Sequence, residues 1–89
     1  MEPKNQRVGD LAGLPFERWV PKNSRERVGV CLDVVSGRPL LSLRVFFETS
    51  TGDYLPVPGK GFAISPEHIA ELADAISEAK LEAIRRGLA

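Results

Sequence analysis

Few residues in this 89-residue chain could do covalent chemistry. Its one histidine and one cysteine, His68 and Cys31, lie far apart in sequence. Spacing therefore assembles neither a Cys–His pair nor a Ser–His–Asp set. His68 and Glu71 form a His-x-x-Glu, which is too few ligands to hold a zinc ion. Glu67 and Glu71 share one turn of an expected helix and read as solvated carboxylates. Gly59-Lys60-Gly61 invites comparison with a phosphate loop. That motif needs a glycine where Tyr54 stands and a Ser or Thr where Gly61 stands, so it fails twice. What remains is a lysine on permissive backbone, able to meet a phosphate as a point charge. The expectation is a non-enzyme with no metal and no other cofactor.

Binding is the chemistry that remains. Leu40-Leu41-Ser42-Leu43-Arg44-Val45-Phe46-Phe47-Glu48 reads as a strand, with side chains alternating between two faces. Leu41, Leu43, Val45 and Phe47 make one face wholly apolar. Leu40, Ser42, Arg44, Phe46 and Glu48 make the other half wet. A cation beside an aromatic ring on a solvated sheet suits a base and its phosphate. The plainer reading makes Phe46 a cross-strand packing partner and Arg44 a solvated charge. Lys22-Asn23-Ser24-Arg25 is a second cationic stretch. It reads as a polar connection or, given its donors, as a phosphate-contacting loop.

The elements that must position these residues follow from periodicity and turn chemistry. Residues 1–15 are rich in Gly, Pro and charge and read as a loose arm. Residues 16–89 then form one domain. Phe16–Val20 is expected to be a short strand that ends at Pro21. Arg27–Val35 is a strand with Val28, Val30, Leu32 and Val34 on one face. Gly29, Cys31, Asp33 and Val35 fall on the other. Ser36-Gly37-Arg38-Pro39 turns the chain into the Leu40–Glu48 strand, giving an antiparallel hairpin. After Thr49–Asp53, Tyr54-Leu55 resumes a strand, but Pro56 and Pro58 cannot donate to a ladder. Phe62-Ala63-Ile64 is expected as a last short strand. Ser65-Pro66-Glu67 opens a helix, with Ser65 as its cap. Ile69, Leu72, Ala73, Ile76, Ala83 and Ile84 give that helix an apolar stripe, which should lie on the apolar sheet face. Arg85-Arg86-Gly87 ends it.

Composition bounds the partners. Hydrophobic content of 43% and charged content of 27% are ordinary for a globular chain. Formal net charge is zero, which excludes a generally basic nucleic-acid binder. The charge is unevenly spread, though. Residues 66–89 are net negative by two, which leaves residues 1–65 net positive by two. No apolar run is long enough to cross a bilayer, and the first residues hold no apolar leader core. With the lone Cys31, these point to a reducing, intracellular setting, the cytoplasm and its nucleoid in a bacterium. A chain this short buries a small share of its surface, and dimerisation is the expected remedy.

The order of elements and several residues together resemble the transcriptional coactivator family of positive cofactor four. The matching residues are Lys22 to Glu26, Val28 to Gly37, Leu41 to Phe47, Gly52-Asp53, Pro58 to Gly61 and Ile64 to Glu67. They span about residues 16–86. The resemblance implies an α+β fold: a curved antiparallel sheet of about four strands followed by one C-terminal helix. It also implies sequence-tolerant binding of single-stranded DNA. Arg44, Phe46 and Phe47 would lie under stacked bases. Lys60, with Lys22, Asn23, Ser24 and Arg25, would hold phosphate, and Arg38 would extend that track. It further implies a homodimer formed through the helix, with the transcription machinery as a partner. Strand alternation turns Phe47 inward, whereas the family uses both aromatics, so a bulge is expected if both are exposed. The rivals are an RNA binder and a protein-interaction module that kept the fold and lost nucleic-acid affinity.

Overall fold

A computed structural model describes residues 9–89. The part of the expected arm over residues 1–8 lies outside the described residues. Residues 9–15 lead in as mostly exposed chain, with a turn in which the Ala12 N–H donates to Asp10. Four strands follow: β1 (Phe16–Pro21), β2 (Glu26–Val35), β3 (Arg38–Glu48) and β4 (Tyr54–Ile64). They form one antiparallel sheet in the order β1-β2-β3-β4. A single turn of 3-10 helix, Pro66–His68, then leads into the helix α1 (Ile69–Arg85). This is the expected α+β arrangement.

The β2–β3 hairpin is tighter than the sequence suggests. Ser36 and Gly37 alone make the turn, both with positive φ (52° and 79°), as a type I′ hairpin turn requires. Arg38 and Pro39 belong to β3. Tyr54-Leu55 and Phe62–Ile64 are not separate pieces but the two ends of β4. Between them the register slips. β3 advances from Arg44 to Phe46 while its partner moves from Gly61 to Pro56. The intervening residues leave the regular ladder, consistent with two prolines that have no N–H to give.

Ser65 does not cap the helix with its side chain. Its carbonyl instead accepts from the His68 N–H, and the α-helical portion starts at Ile69. The other end matches its sequence signal. Gly87 takes φ 75°, Gly87 N–H donates to Ile84, and Leu88 N–H donates to Ala83. Together these form a Schellman motif.

Val28, Val30, Leu32 and Val34 pair with Val45, Leu43, Leu41 and Pro39 to make the apolar sheet face. The helix was expected to close that face, and it does so only in part. Ile69, Leu72, Ala73 and Ile76 stand across an apolar hollow of about 170 Å³ from Val30, Leu41 and Leu43. Beyond Ile76 the stripe is open, with Ile84 50% exposed, and Leu81, to one side of it, is 66% exposed. Among the described residues Leu41, at 8% exposure, is the one buried hydrophobic side chain. The radius of gyration is 16.1 Å, against roughly 12 Å for a compact chain of this length. Each large apolar side chain left out of a core forgoes about 1.5–3 kcal/mol.

Candidate nucleic-acid interface

The opposite face of the sheet carries the functional candidates, and the register explains how. Trp19 pairs with Gly29, Gly29 with Arg44, and Arg44 with Gly61, which makes one row across four strands. Pro21, Arg27, Phe46 and Pro56 make the next row. Tyr54 lies beyond it, opposite Glu48. Side chains that alternate out of a pleat share a face along such rows. Trp19, Arg27, Phe46 and Tyr54, one from each strand, therefore converge.

Their contacts are specific. The Arg27 guanidinium lies 3.9 Å from the Trp19 ring centroid and 3.6 Å from that of Tyr54. It is thus clamped between two π faces, an arrangement a planar, weakly hydrated cation favours. Phe46 meets Trp19 edge to face, at 4.9 Å between centroids and 80° between planes. Arg27 Nε is buried without a hydrogen-bond partner. The aromatic clamp, not a carboxylate, holds this cation in place. Gly29 permits the ring pair. A Cβ there would sit 2.8 Å from Trp19 and 2.9 Å from Phe46. Gly61 serves Arg44 in the same way, since a Cβ would come within 2.8 Å of its Cγ and 2.5 Å of the Leu43 carbonyl oxygen.

Beside the rings lies a trough of about 130 Å³, lined by Glu17, Arg18, Trp19, Gly29, Val30, Cys31, Ser42, Arg44 and Phe46. Burial pushes the Cys31 thiol pKa up, and the nearby Glu17 and Asp33 charges push it further. The thiol is therefore held protonated well into alkaline pH, and its nucleophilicity is low.

The structure brings together some of the expected site residues and separates others. Arg44 and Phe46 share the face, with Phe46 half-buried and Arg44 exposed. Arg38 lies on the same face eight residues along β3, roughly 26 Å from Phe46. Phe47 does not join them. The β2–β3 register runs unbroken from Glu26–Phe47 to Val35–Arg38. With no bulge there, Phe47 points to the helix-bearing side, where it is 37% exposed. Lys60 falls in the slipped part of β4. It lines a shallow depression with Val28, Val45 and Phe62, and its field reaches Glu26.

The Lys22–Arg25 loop is largely occupied with itself. Lys22 Nζ and Asn23 Nδ2 donate to Glu26 Oε1 at 2.8 and 2.9 Å. Asn23 Oδ1 accepts from the backbone N–H groups of Arg25 and Glu26. These bonds hold the Glu26 carboxyl below its usual pKa, Lys22 contributing most and Asn23 next. The side chains of Ser24 and Arg25 make no hydrogen bond among the described residues and remain free for a ligand.

Trp19, Arg27 and Tyr54 were not singled out from sequence. Alternation along β2 does place Arg27 with Gly29 and Cys31 on the wet face. Trp19 and Tyr54 needed the cross-strand register. His68 stays at the surface beside Glu71, 3.1 Å away. Among the described residues no three His, Cys, Asp or Glu cluster as metal ligands, and no helix is long and apolar enough to cross a membrane.

A four-stranded antiparallel meander with one trailing helix defines the class of fold. The particular fold is PC4-like, that of positive cofactor four. The crystal structure of a PC4 homolog from Burkholderia pseudomallei, in an orthorhombic form, matches 80% of this chain and 96% of its own, with TM-score 0.68 and 21% identity. Its tetragonal form matches 75% and 98%, with TM-score 0.65 and 22% identity. The bacteriophage T5 homolog of the eukaryotic transcription coactivator PC4, implicated in recombination-dependent DNA replication, matches 81% and 85%, with TM-score 0.61 and 14% identity. At these identities the likeness is one of fold. No protein-family model matches the sequence, and neither does any curated protein.

Proposed function

We propose that this chain binds single-stranded DNA with little sequence preference, as an intracellular, non-enzymatic protein of transcription or DNA metabolism. One observation carries the reading: Arg27 held between Trp19 and Tyr54, with Phe46 against Trp19 and Arg44 alongside. Unpaired bases can stack on such rings at about 1–3 kcal/mol each, whereas a duplex keeps its base faces to itself. Arg44 takes phosphate next to the rings. Arg38, Arg25 and Ser24 are candidates for phosphates farther along the strand. Lys60 is one only from the β4 edge, where its depression joins apolar-face residues to Arg44. Lys22 and Asn23 chiefly shape the loop that presents Arg25. Phe47 stacks no base in this reading. Fold likeness to homologs of a transcription coactivator supports it.

The chain works as a homodimer in this proposal. Ile76 and Ile84 on the stripe, with Leu81 beside it, are left exposed by their own sheet and make an apolar surface that calls for a cover. A second copy offers the same stripe and so a self-complementary surface.

Anisotropy titrations with labelled single-stranded DNA, the matching RNA and duplex DNA at moderate salt test the proposal. Single-stranded DNA should bind more tightly than duplex, with affinity falling as salt rises. Equal, weak binding of all three would favour the protein-interaction module, and a preference for the RNA would favour the RNA binder.

A further inference from the structure

The trough beside the rings is shaped for more than a phosphate. Small residues make its floor: Gly29 and Cys31 on β2, and Ser42 on β3. Gly61 and Ala63, paired with Arg44 and Ser42, continue the row on β4. Trp19 and Phe46 are its aromatic wall, Arg44 stands at one side, and Glu17 stands across from it on β1. The space is about 130 Å³. A hollow of about 150 Å³ is enough to take up one benzene ring. At about 130 Å³ this open one is smaller, so it takes the leading edge of one flat ring system and leaves the rest of the base and its sugar outside.

Glu17 needs an explanation. A carboxylate on a face meant for a polyanion repels it, and Glu17 forms no ion pair among the described residues. Its charge bears on the trough, since it acts on Cys31, its partner across the ladder. A carboxylate accepts hydrogen bonds and donates none. It suits only a ligand group that presents donors.

We infer that the trough adds one base-selective subsite, for guanine, to an otherwise sequence-tolerant single-strand surface, an inference that rests on the single-strand reading above. Guanine carries two adjacent donors, N1–H and the N2 amino group, which match the two oxygens of Glu17. On its neighbouring edge O6 and N7 are acceptors, which match the guanidinium fork of Arg44. Adenine and cytosine present one amino group beside an acceptor. Thymine presents one N–H between two carbonyls. Each of these sets an acceptor against the carboxylate. β1 and β3 are two strand spacings apart, roughly 10 Å, which is room for a base with a hydrogen bond on either side. The Ser42 hydroxyl on the floor can donate or accept and completes the polar lining.

The test is a set of short thymine strands titrated against the intact chain. One is all thymine. The others carry isolated guanines, hypoxanthines or adenines, too few for guanine quartets. The guanine strand should bind about tenfold more tightly than the thymine strand, the discrimination a good bidentate pair supplies. Hypoxanthine, which lacks the N2 amino group, should lose most of that gain, and adenine should show none. Glu17→Gln should erase the difference between guanine and hypoxanthine. Equal affinity for all four strands would overturn the subsite and leave single-strand binding standing. Failure of every strand to bind would overturn both. Because the hypoxanthine comparison uses the unaltered protein, it stands even if Glu17→Gln misfolds.

Discussion

The two faces of the sheet are finished to different degrees. On the open face one residue from each strand joins a single cluster, and its one deeply placed cation is held by rings. On the helix-bearing face four apolar cross-strand pairs of β2 and β3 await a cover that the helix only begins to provide. A small sheet can thus organise its solvent-exposed side more completely than its apolar side. Aromatic and guanidinium groups satisfy one another across neighbouring strands. A hydrophobic face needs an opposing layer, and here the chain supplies half of one. The first face is ready for a ligand, and the second calls for another copy.

The largest expected effect breaks the second face. Ile76→Asp combined with Ile84→Asp removes two stripe residues worth about 1.5–3 kcal/mol each when buried, a large share of the ~5–15 kcal/mol that holds a whole domain. Light scattering should show the unaltered chain at twice its 9.7 kDa mass and the double variant without that species. The unaltered chain should also melt at a temperature that rises with protein concentration. A single-chain mass for the unaltered protein at all concentrations would remove the contrast between the faces.

Next comes the open face. Arg27→Ala frees both rings it clamps, and Phe46→Ala removes the edge that props Trp19. Each should weaken single-strand binding by about 1–3 kcal/mol, or roughly 5- to 150-fold in Kd. Arg27→Lys should not restore it, because an ammonium cannot lie flat between two rings. Phe47→Ala, on the other face, should leave Kd nearly unchanged. Gly29→Ala should cost about 1–3 kcal/mol of stability by overpacking, measured by denaturant melts, and should weaken binding by separating Trp19 from Phe46.

Smaller effects sharpen the comparison. Arg44→Ala should lower the log–log salt slope of binding by about one, and Lys60→Ala should lower it less. The smallest is a pH effect. The Glu26 pKa is lowered in the fold, so its contribution is present above the ordinary carboxylate range. That contribution is lost as pH falls through the lowered value. Acid melts of the unaltered chain should show this slight loss, and Glu26→Gln should not. The pair lies at the surface, where solvent screening keeps the effect small.

Much of this was legible in the sequence, for physical reasons. Alternation placed Arg44 and Phe46 together and put Phe47 opposite them, and the β2–β3 register agrees. Gly87 announced the helix end, because only glycine sits easily at that φ. Three things were not legible. The five-for-two slip between β4 and β3 depends on how Pro56, Pro58 and Gly59 share the strain, which no periodicity records. The stripe from Ile69 to Ile84 says that a helix face will be buried and not against what. Trp19, Arg27 and Tyr54 lie up to 35 residues apart, and their meeting is a property of the register, invisible within any one strand.

The most direct test uses the fact that Trp19 is the one tryptophan in the chain. It sits between Arg27 and Phe46, so its fluorescence reports on the proposed platform alone. Adding single-stranded DNA at moderate salt should quench it saturably, duplex DNA should do so far less, and Phe46→Ala should weaken the response. Tight single-strand binding that leaves Trp19 emission unchanged would place the ligand elsewhere and contradict the account.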